Sequence, residues 1–386
     1  MARQITSITL HGYRPFDHFS ASFAPLEVLV GANGSGKSAL LEFLRFLRDS
    51  CNQEIPPQVI KGAVGQQIFN ASGDESFRWN LVLDDQLHYS GQVTGPIGQI
   101  RVMSEQIAEV VHTNGQHLVY LERVNGEERG MLYEPKGDDT ETQVFHTGRD
   151  TQLSLRVLTN PQFTIPYYLR EYIARWRFYS GFNISLAKIR RAVLVEQTPF
   201  LDEDAGNLSA VLHYLMTEHR RTFDDLERLI RQIVPDFEYL TVKARGGPGE
   251  VIAFWKETGY DRELSLADLS EGILRLLCWM VLCLQPNPPT LICIDEPDQG
   301  IHPRTLPILA GLFKKASQRT QLLLTTHNSY FLTQFDLSNI AVMRKKQGKI
   351  EFVKPGDSKT IIEMLEDFGS EQLEQMHRTD ELEALP

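Results

Sequence analysis

Cysteine is scarce: 386 residues hold four, Cys51, Cys278, Cys283 and Cys293, none in CxxC spacing. That argues against a disulfide framework or a zinc knuckle and for buried thiols. No apolar run reaches the roughly 18 residues of a membrane span, and the opening MARQITSITL lacks the unbroken apolar stretch of a signal peptide. A cytoplasmic protein with no membrane partner is therefore expected. Internal repeats and long low-complexity linkers are also missing. So is an excess of basic charge: 39 Lys and Arg against 50 Asp and Glu give a net charge of -11. This disfavours a general nucleic-acid coat and leaves room only for a local basic patch. What the chain does have is 42% hydrophobic and 23% charged residues, enough for one large core or two moderate ones.

Organisation must come from pattern. Ile5 to Leu10 and Leu26 to Val30 read as strands, and Leu40, Leu41, Leu44 and Leu47 recur at helical spacing over Ser38 to Asp49. Between 68 and 155, alternating stretches (Arg78 to Leu83, His117 to Arg123, Gly130 to Tyr133) separated by turns such as Asn125-Gly126 predict an antiparallel meander. From Pro166 to Ile233 the period becomes helical, with Leu208, Val211, Leu212 and Leu215 on one face and a second amphipathic run from Phe223. After a β segment around Tyr239 to Trp255, α/β order returns: helix Glu271 to Gln285, strand Thr290 to Ile294, helix Pro303 to Ser317, strand Gln321 to Thr325. The predicted organisation is an N-terminal lobe over 1–160, a helical insertion over 161–238, a C-terminal lobe over 239–356 and an acidic tail over 357–386. The first and last lobes are expected to belong together.

Gly31-Ala32-Asn33-Gly34-Ser35-Gly36-Lys37-Ser38 matches the P-loop pattern G-x-x-x-x-G-K-[ST] in full. A chance match in a chain this long is on the order of one in a hundred. An apolar strand ends at Val30 and a helix starts at Lys37, so the backbone N–H groups of Asn33, Gly34, Ser35 and Gly36 and the positive helix end face one anion site. The pattern predicts ATP with Mg²⁺: Lys37 reaches the β- and γ-phosphates, and the Ser38 hydroxyl ligates the metal. Leu291 to Asp295, followed by Glu296 and Pro297, is a buried strand ending in adjacent carboxylates, the expected Walker B site. Asp295 is assigned to Mg²⁺ and Glu296 to polarising the attacking water. Consecutive strand side chains point to opposite sides, so this assignment needs a twist at the strand end. Ser270, before the helix at Glu271, is either a plain N-cap or a cap whose hydroxyl and following N–H groups meet a second phosphate. Downstream, Thr325-Thr326-His327-Asn328 delivers a histidine from a strand end.

The order P-loop, LSEG, IDEP, TTHN resembles the ABC-type ATPase class, and within it the RecF-like, SMC-like and OLD-family cytosolic ATPases. It is most similar to the standalone AAA-family ATPases found in bacterial anti-phage systems. The likeness extends to Trp176-Arg177-Phe178-Tyr179, Gly206-Asn207-Leu208 and Ile301-His302-Pro303. The resemblance implies an α/β P-loop NTPase fold of ABC-ATPase type, with a β-rich part and a helical insertion between Walker A and the signature. It makes Ser270 and Gly272 the signature motif, Asp298 to His302 the D-loop and His327 the switch histidine. It also implies a homodimer or higher homo-oligomer that sandwiches ATP head to tail and switches a separate nuclease or toxin effector. A RecF- or SMC-like DNA-maintenance ATPase is the alternative. Glu271 stands where many relatives carry Gly or Asp, and a carboxylate near a γ-phosphate is unfavourable unless it points away. Gln66, Gln67 and Gln162 are all candidates for the Q-loop glutamine. Too few residues follow His327 for the Toprim nuclease domain of the OLD family, and none is expected.

Residues 167–191 interleave six Arg or Lys with seven aromatics. Such a segment could hold a nucleic-acid strand. The favoured reading is an amphipathic helix that packs its aromatics on the core. In the acidic tail, Met364, Leu365 and Phe368 have helical spacing.

Overall fold

The computed structural model describes residues 3–55, 68–70, 75–95, 100–110, 117–136, 139–180, 186–245, 247–358, 370–379 and 381–382. The chain divides into two compact units, Met1–Trp176 with Leu337–Pro386, and Arg177–Asp336.

In the first unit, eight strands form an antiparallel sheet in the order Phe16–Ser22, Ile5–Tyr13, Ser76–Leu83, Leu87–Thr94, Arg101–Val110, His117–Arg123, Arg129–Lys136, Asp139–His146. The expected meander is present, and it also recruits Ile5–Tyr13 at one side. Leu87–Thr94 alternates buried and half-buried residues without a break, as a one-sided sheet requires. On the buried face, Phe77 and Trp79 meet Phe43 and Phe46 of the helix Lys37–Ser50, with ring centroids 5.7 to 6.4 Å apart. Each such ring removes enough apolar area from water to contribute about 2 to 3 kcal/mol. The meander thus clamps the helix that opens at the P-loop lysine. The strand leading into that loop, Leu26–Val30, is buried throughout and pairs in parallel with Ile340–Lys346, which pairs antiparallel with Lys349–Val353.

Glu27 lies on that strand and is fully buried. Its Oε2 accepts from the Ala24 N–H at 2.8 Å and from Lys354 Nζ at 3.0 Å. Burial outweighs these partners and pushes the carboxyl from 4.5 up to about 7. A group raised in the folded state contributes its full stability below the unfolded value and loses it as pH rises through the folded one. Relative to Glu27→Gln, the wild type should therefore lose on the order of 2 to 3 kcal/mol between about pH 4.5 and about pH 7. Urea unfolding of both proteins across that window checks this. A stability difference that stays constant would contradict it.

In the second unit, Leu291–Asp295 lies between Arg177–Ser180 and Gln321–Thr325 and runs parallel to both, with Asp295 level with Ser180 and Thr325. Helices Leu208–Glu218, Arg220–Ile233, Glu271–Leu284 and Leu306–Ala316 and a small antiparallel sheet, built on Phe237–Ala244 and Glu250–Glu257, complete it. The helix Arg220–Ile233 buries Phe223, Leu226, Glu227 and Ile230, a single stripe. Its one charged member is satisfied, because Glu227 accepts from the Leu240 N–H at 2.8 Å and from Arg231 at 3.2 Å.

The structure corrects the helical reading of 166–233. Helix Thr164–Ala174 ends early and Arg177–Ser180 is a strand, with Phe178 and Tyr179 buried beside Cys293 and Ile294. The adjacent pair Phe178 and Tyr179 suits either a buried strand or a helix packed on the core, and here the parallel neighbour decides between them. The helix expected from Pro303 starts as a 3₁₀ turn, Pro303–Thr305, and becomes α-helical at Leu306. All four cysteines are free and buried, as expected. Among the described residues, no helix is long and apolar enough to cross a membrane. Met364, Leu365 and Phe368 lie outside the described residues; helix Ser370–Arg378 follows them.

Candidate active site

The glycine loop of the first unit has the backbone of an anion cradle. Gly31, Gly34 and Gly36 all have positive φ, at +143°, +82° and +99°. At Gly31 a Cβ would stand 2.0 Å from the Met343 carbonyl, so only glycine fits; Gly34 is open on all sides, and its requirement is the left-handed backbone alone. Lys37 is 6% exposed, and its Nζ donates to the carbonyls of Gly31 (2.5 Å) and Ala32 (3.1 Å) and to Ser35 Oγ (3.4 Å). The ammonium is thereby held over the loop. Asn33, Gly34 and Ser38 are exposed, and Ser35 and Gly36 are buried. The curled backbone, the buried ammonium and the exposed hydroxyl at the helix start suit a polyphosphate with a metal ion.

In the second unit the chemistry gathers at the ends of two paired strands. Asp295 Oδ1 accepts from Thr325 Oγ1. Glu296 has φ +53°, a left-handed conformation rarely adopted outside glycine, and its N–H donates to the Thr325 carbonyl (3.2 Å) and Oγ1 (3.1 Å). This turn breaks the strand alternation that set the two carboxylates apart. Both now reach the Thr325 to His327 segment: Glu296 Oε1 is 3.8 Å from His327 Nε2, and both side chains are part-exposed, at 38% and 40%. Asp298 accepts from Thr326 Oγ1 at 2.8 Å, and burial raises its pKa. Trp279 Nε1 donates to the Pro297 carbonyl at 3.0 Å, pinning the loop after the strand to the helix Glu271–Leu284.

Ser270 is the N-cap of that helix, its Oγ accepting from the Ile273 N–H at 3.3 Å. It is also exposed, and with Gly272 it lines a cleft of about 440 Å³ bounded by Gly300, Ile301 and His302 and by Ile233. Glu271 does turn aside: its carboxylate is bound by Arg275 one turn on. Among the Q-loop candidates, Gln162 bonds Glu141, while Gln66 and Gln67 lie outside the described residues. Sequence reasoning quoted Thr325 and Thr326 but missed their roles as holders of Asp295 and Asp298, and it gave Arg275 no role beyond its place in the helix that Ser270 opens. Two hydroxyls in a row at a buried strand end were the available signal, because polar groups there need partners.

A sequence profile described as "AAA domain, putative AbiEii toxin, Type IV TA system" matches residues 134–333, more than half of the chain. The chain belongs to this AAA family. A second profile, "AAA ATPase domain", matches residues 4–118. Two solved structures share the fold. One is an SMC head bound to the C-winged helix domain of ScpA (TM-score 0.53, 13% identity, 90% of this chain and 97% of that one). The other is an Smc head domain with an extended coiled coil bound to the C-terminal domain of ScpA from Pyrococcus furiosus (TM-score 0.57, 11% identity, 94% and 100%). In sequence, the DNA repair protein RAD50 of Dictyostelium discoideum is 26% identical over 114 residues, 28% of this chain. The chain spans 8% of that relative's length. This AAA-family protein is therefore an ATPase with the mixed α/β P-loop fold of SMC heads.

Proposed function

We propose that two copies of this AAA ATPase close head to tail around ATP and Mg²⁺, and that closure and hydrolysis switch a separate effector, a nuclease or toxin, in anti-phage defence. Each site takes its P-loop, Asp295, Glu296 and His327 from one chain and Ser270 and Gly272 from the other. The observation that carries this reading is the meeting of Glu296 with His327 beside the Thr325-held Asp295.

When bound, Mg²⁺ and ATP supply a polarised γ-phosphoryl group. The N–H groups of Asn33 to Gly36 and the Lys37 ammonium would hold the phosphates, and Ser38 and Asp295 would ligate the metal. Glu296 takes the proton of the attacking water at its carboxylate, and His327, at hydrogen-bonding range once the site tightens, keeps that carboxylate oriented. Ser270, with the N–H groups at its helix start, meets the partner's γ-phosphate and makes assembly depend on it. Light scattering tests the reading: the mass should double with Mg²⁺ and a non-hydrolysable ATP analogue and fall back when the nucleotide is removed. A mass indifferent to nucleotide overturns it.

The likeness to RAD50 favours one alternative, a DNA-repair ATPase. The described aromatics of the segment 167–191, those within residues 167–180, weigh against it. Tyr172, Trp176, Phe178 and Tyr179 are spent in the core, and Tyr168, 62% exposed, is left as an open platform. The purified protein is expected to show little salt-sensitive DNA affinity, and charge reversal at Arg190 and Arg191 is expected to change nothing. A submicromolar, salt-dependent complex weakened by that reversal would establish the alternative.

A further inference from the structure

The helix that opens at Ser270 faces a conflict of charge. A carboxylate at its first position, Glu271, stabilises the positive helix end. The same helix end is where the proposed function brings a γ-phosphate, which that carboxylate would repel. Arg275 stands between the two demands. Its guanidinium binds the Glu271 carboxylate in the favourable i,i+4 orientation, and its other arm donates to the Gln299 carbonyl at 2.7 Å. The Arg275 side chain is 14% exposed while Glu271 is 59% exposed, so the cation is fixed by the protein and the acid is the movable partner. The approach is close: a Cβ on Gly300 would lie 3.1 Å from Arg275 Nη1, and a Cβ on Gly272 would lie 3.0 Å from the Gly300 carbonyl. Gln299 in turn donates its N–H to the Glu296 carbonyl at 3.2 Å, so the same guanidinium is one residue's hydrogen bonds away from the general base.

We infer that Arg275 is a positioning residue of the shared ATP site. It cancels the Glu271 charge that the signature turn would otherwise present to the partner's γ-phosphate, and it ties that turn to the D-loop carbonyl whose neighbour is Glu296. The inference rests on the head-to-tail reading above. Its two functions are separable, because the first acts on assembly through charge and the second on turnover through geometry.

The test places variants in the Glu296→Gln background and follows assembly by light scattering against ATP concentration with Mg²⁺. Arg275→Ala should raise the half-assembly concentration about tenfold or more, and adding Glu271→Gln should bring it back to within about threefold of the parent. With Glu296 native, both Arg275→Ala and the double variant should keep a kcat lowered severalfold, because the Gln299 carbonyl stays unheld; Arg275→Lys should recover assembly more than kcat. Glu271→Gln alone alters only an exposed side chain and secures the test against misfolding: half-assembly should occur at the same or a lower ATP concentration. A double variant that assembles no better than Arg275→Ala, or a Glu271→Gln protein that needs more ATP, overturns the inference. If the Glu296→Gln parent itself fails to assemble, the head-to-tail reading falls and takes the inference with it. If the parent assembles and Arg275→Ala matches it, the inference alone falls.

Discussion

Replacing Lys37 with alanine should weaken ATP binding by at least about 10²-fold, because a charge-assisted hydrogen bond to phosphate is worth roughly 1.5 to 3 kcal/mol and Lys37 is placed to make more than one. Its Nζ already rests against the Gly31 and Ala32 carbonyls and Ser35 Oγ, inside the loop that the phosphates would enter. The helix that begins at this residue is held elsewhere, by Leu40, Phe43, Leu44, Phe46 and Leu47, all buried. The variant should therefore fold and melt close to the wild type. Titration calorimetry with Mg²⁺ and ATP is the check, and wild-type affinity in the variant would mean that the glycine loop does not serve as a phosphate cradle.

The P-loop was legible in the sequence because its chemistry is local: backbone N–H groups, a lysine and a hydroxyl within eight consecutive residues. The meander was legible for a similar reason, since a sheet with one buried face writes its period of two into each strand. Arg177–Ser180 was not. It is a strand because Cys293 and Ile294 run beside Phe178 and Tyr179, and nothing in its own spacing says so. The site shows the same division. Asp295 and Glu296 could be picked out as a strand ending in acids, yet the strand rule set them on opposite sides. The resolution lies in a left-handed turn at Glu296, braced by a threonine on the neighbouring strand. Arg275 was given no role because its two partners, Glu271 and Gln299, are one turn and one loop away. Only the first of them follows from helical spacing. What pattern recovers is what neighbours in sequence decide; what strands and loops decide by meeting is left for the fold.

Glu296→Gln should lower kcat by about 10² to 10⁴-fold and leave ATP bound, trapping an assembled dimer, while Ser270→Arg should prevent that dimer without weakening the binding of ATP to its own chain. Glutamine keeps the size of the glutamate and its place beside His327, but it takes no proton from water, so the phosphate that bridges the chains persists. Ser270 acts differently. Loss of its cap to the Ile273 N–H costs about 1 kcal/mol, too little to unfold a helix that buries Leu274, Leu276, Leu277, Trp279 and Met280. Its own chain's nucleotide is assigned to Gly31 to Ser38, so the added guanidinium at residue 270 should be felt only by the partner's ATP, through bulk at the signature turn. Light scattering of both variants with ATP and Mg²⁺, beside a nucleotide-binding assay, separates the outcomes. Should Glu296→Gln keep its nucleotide-free mass, or Ser270→Arg lose ATP binding as a monomer, then each chain would complete its own site and the two halves of this ATPase would not be shared between copies.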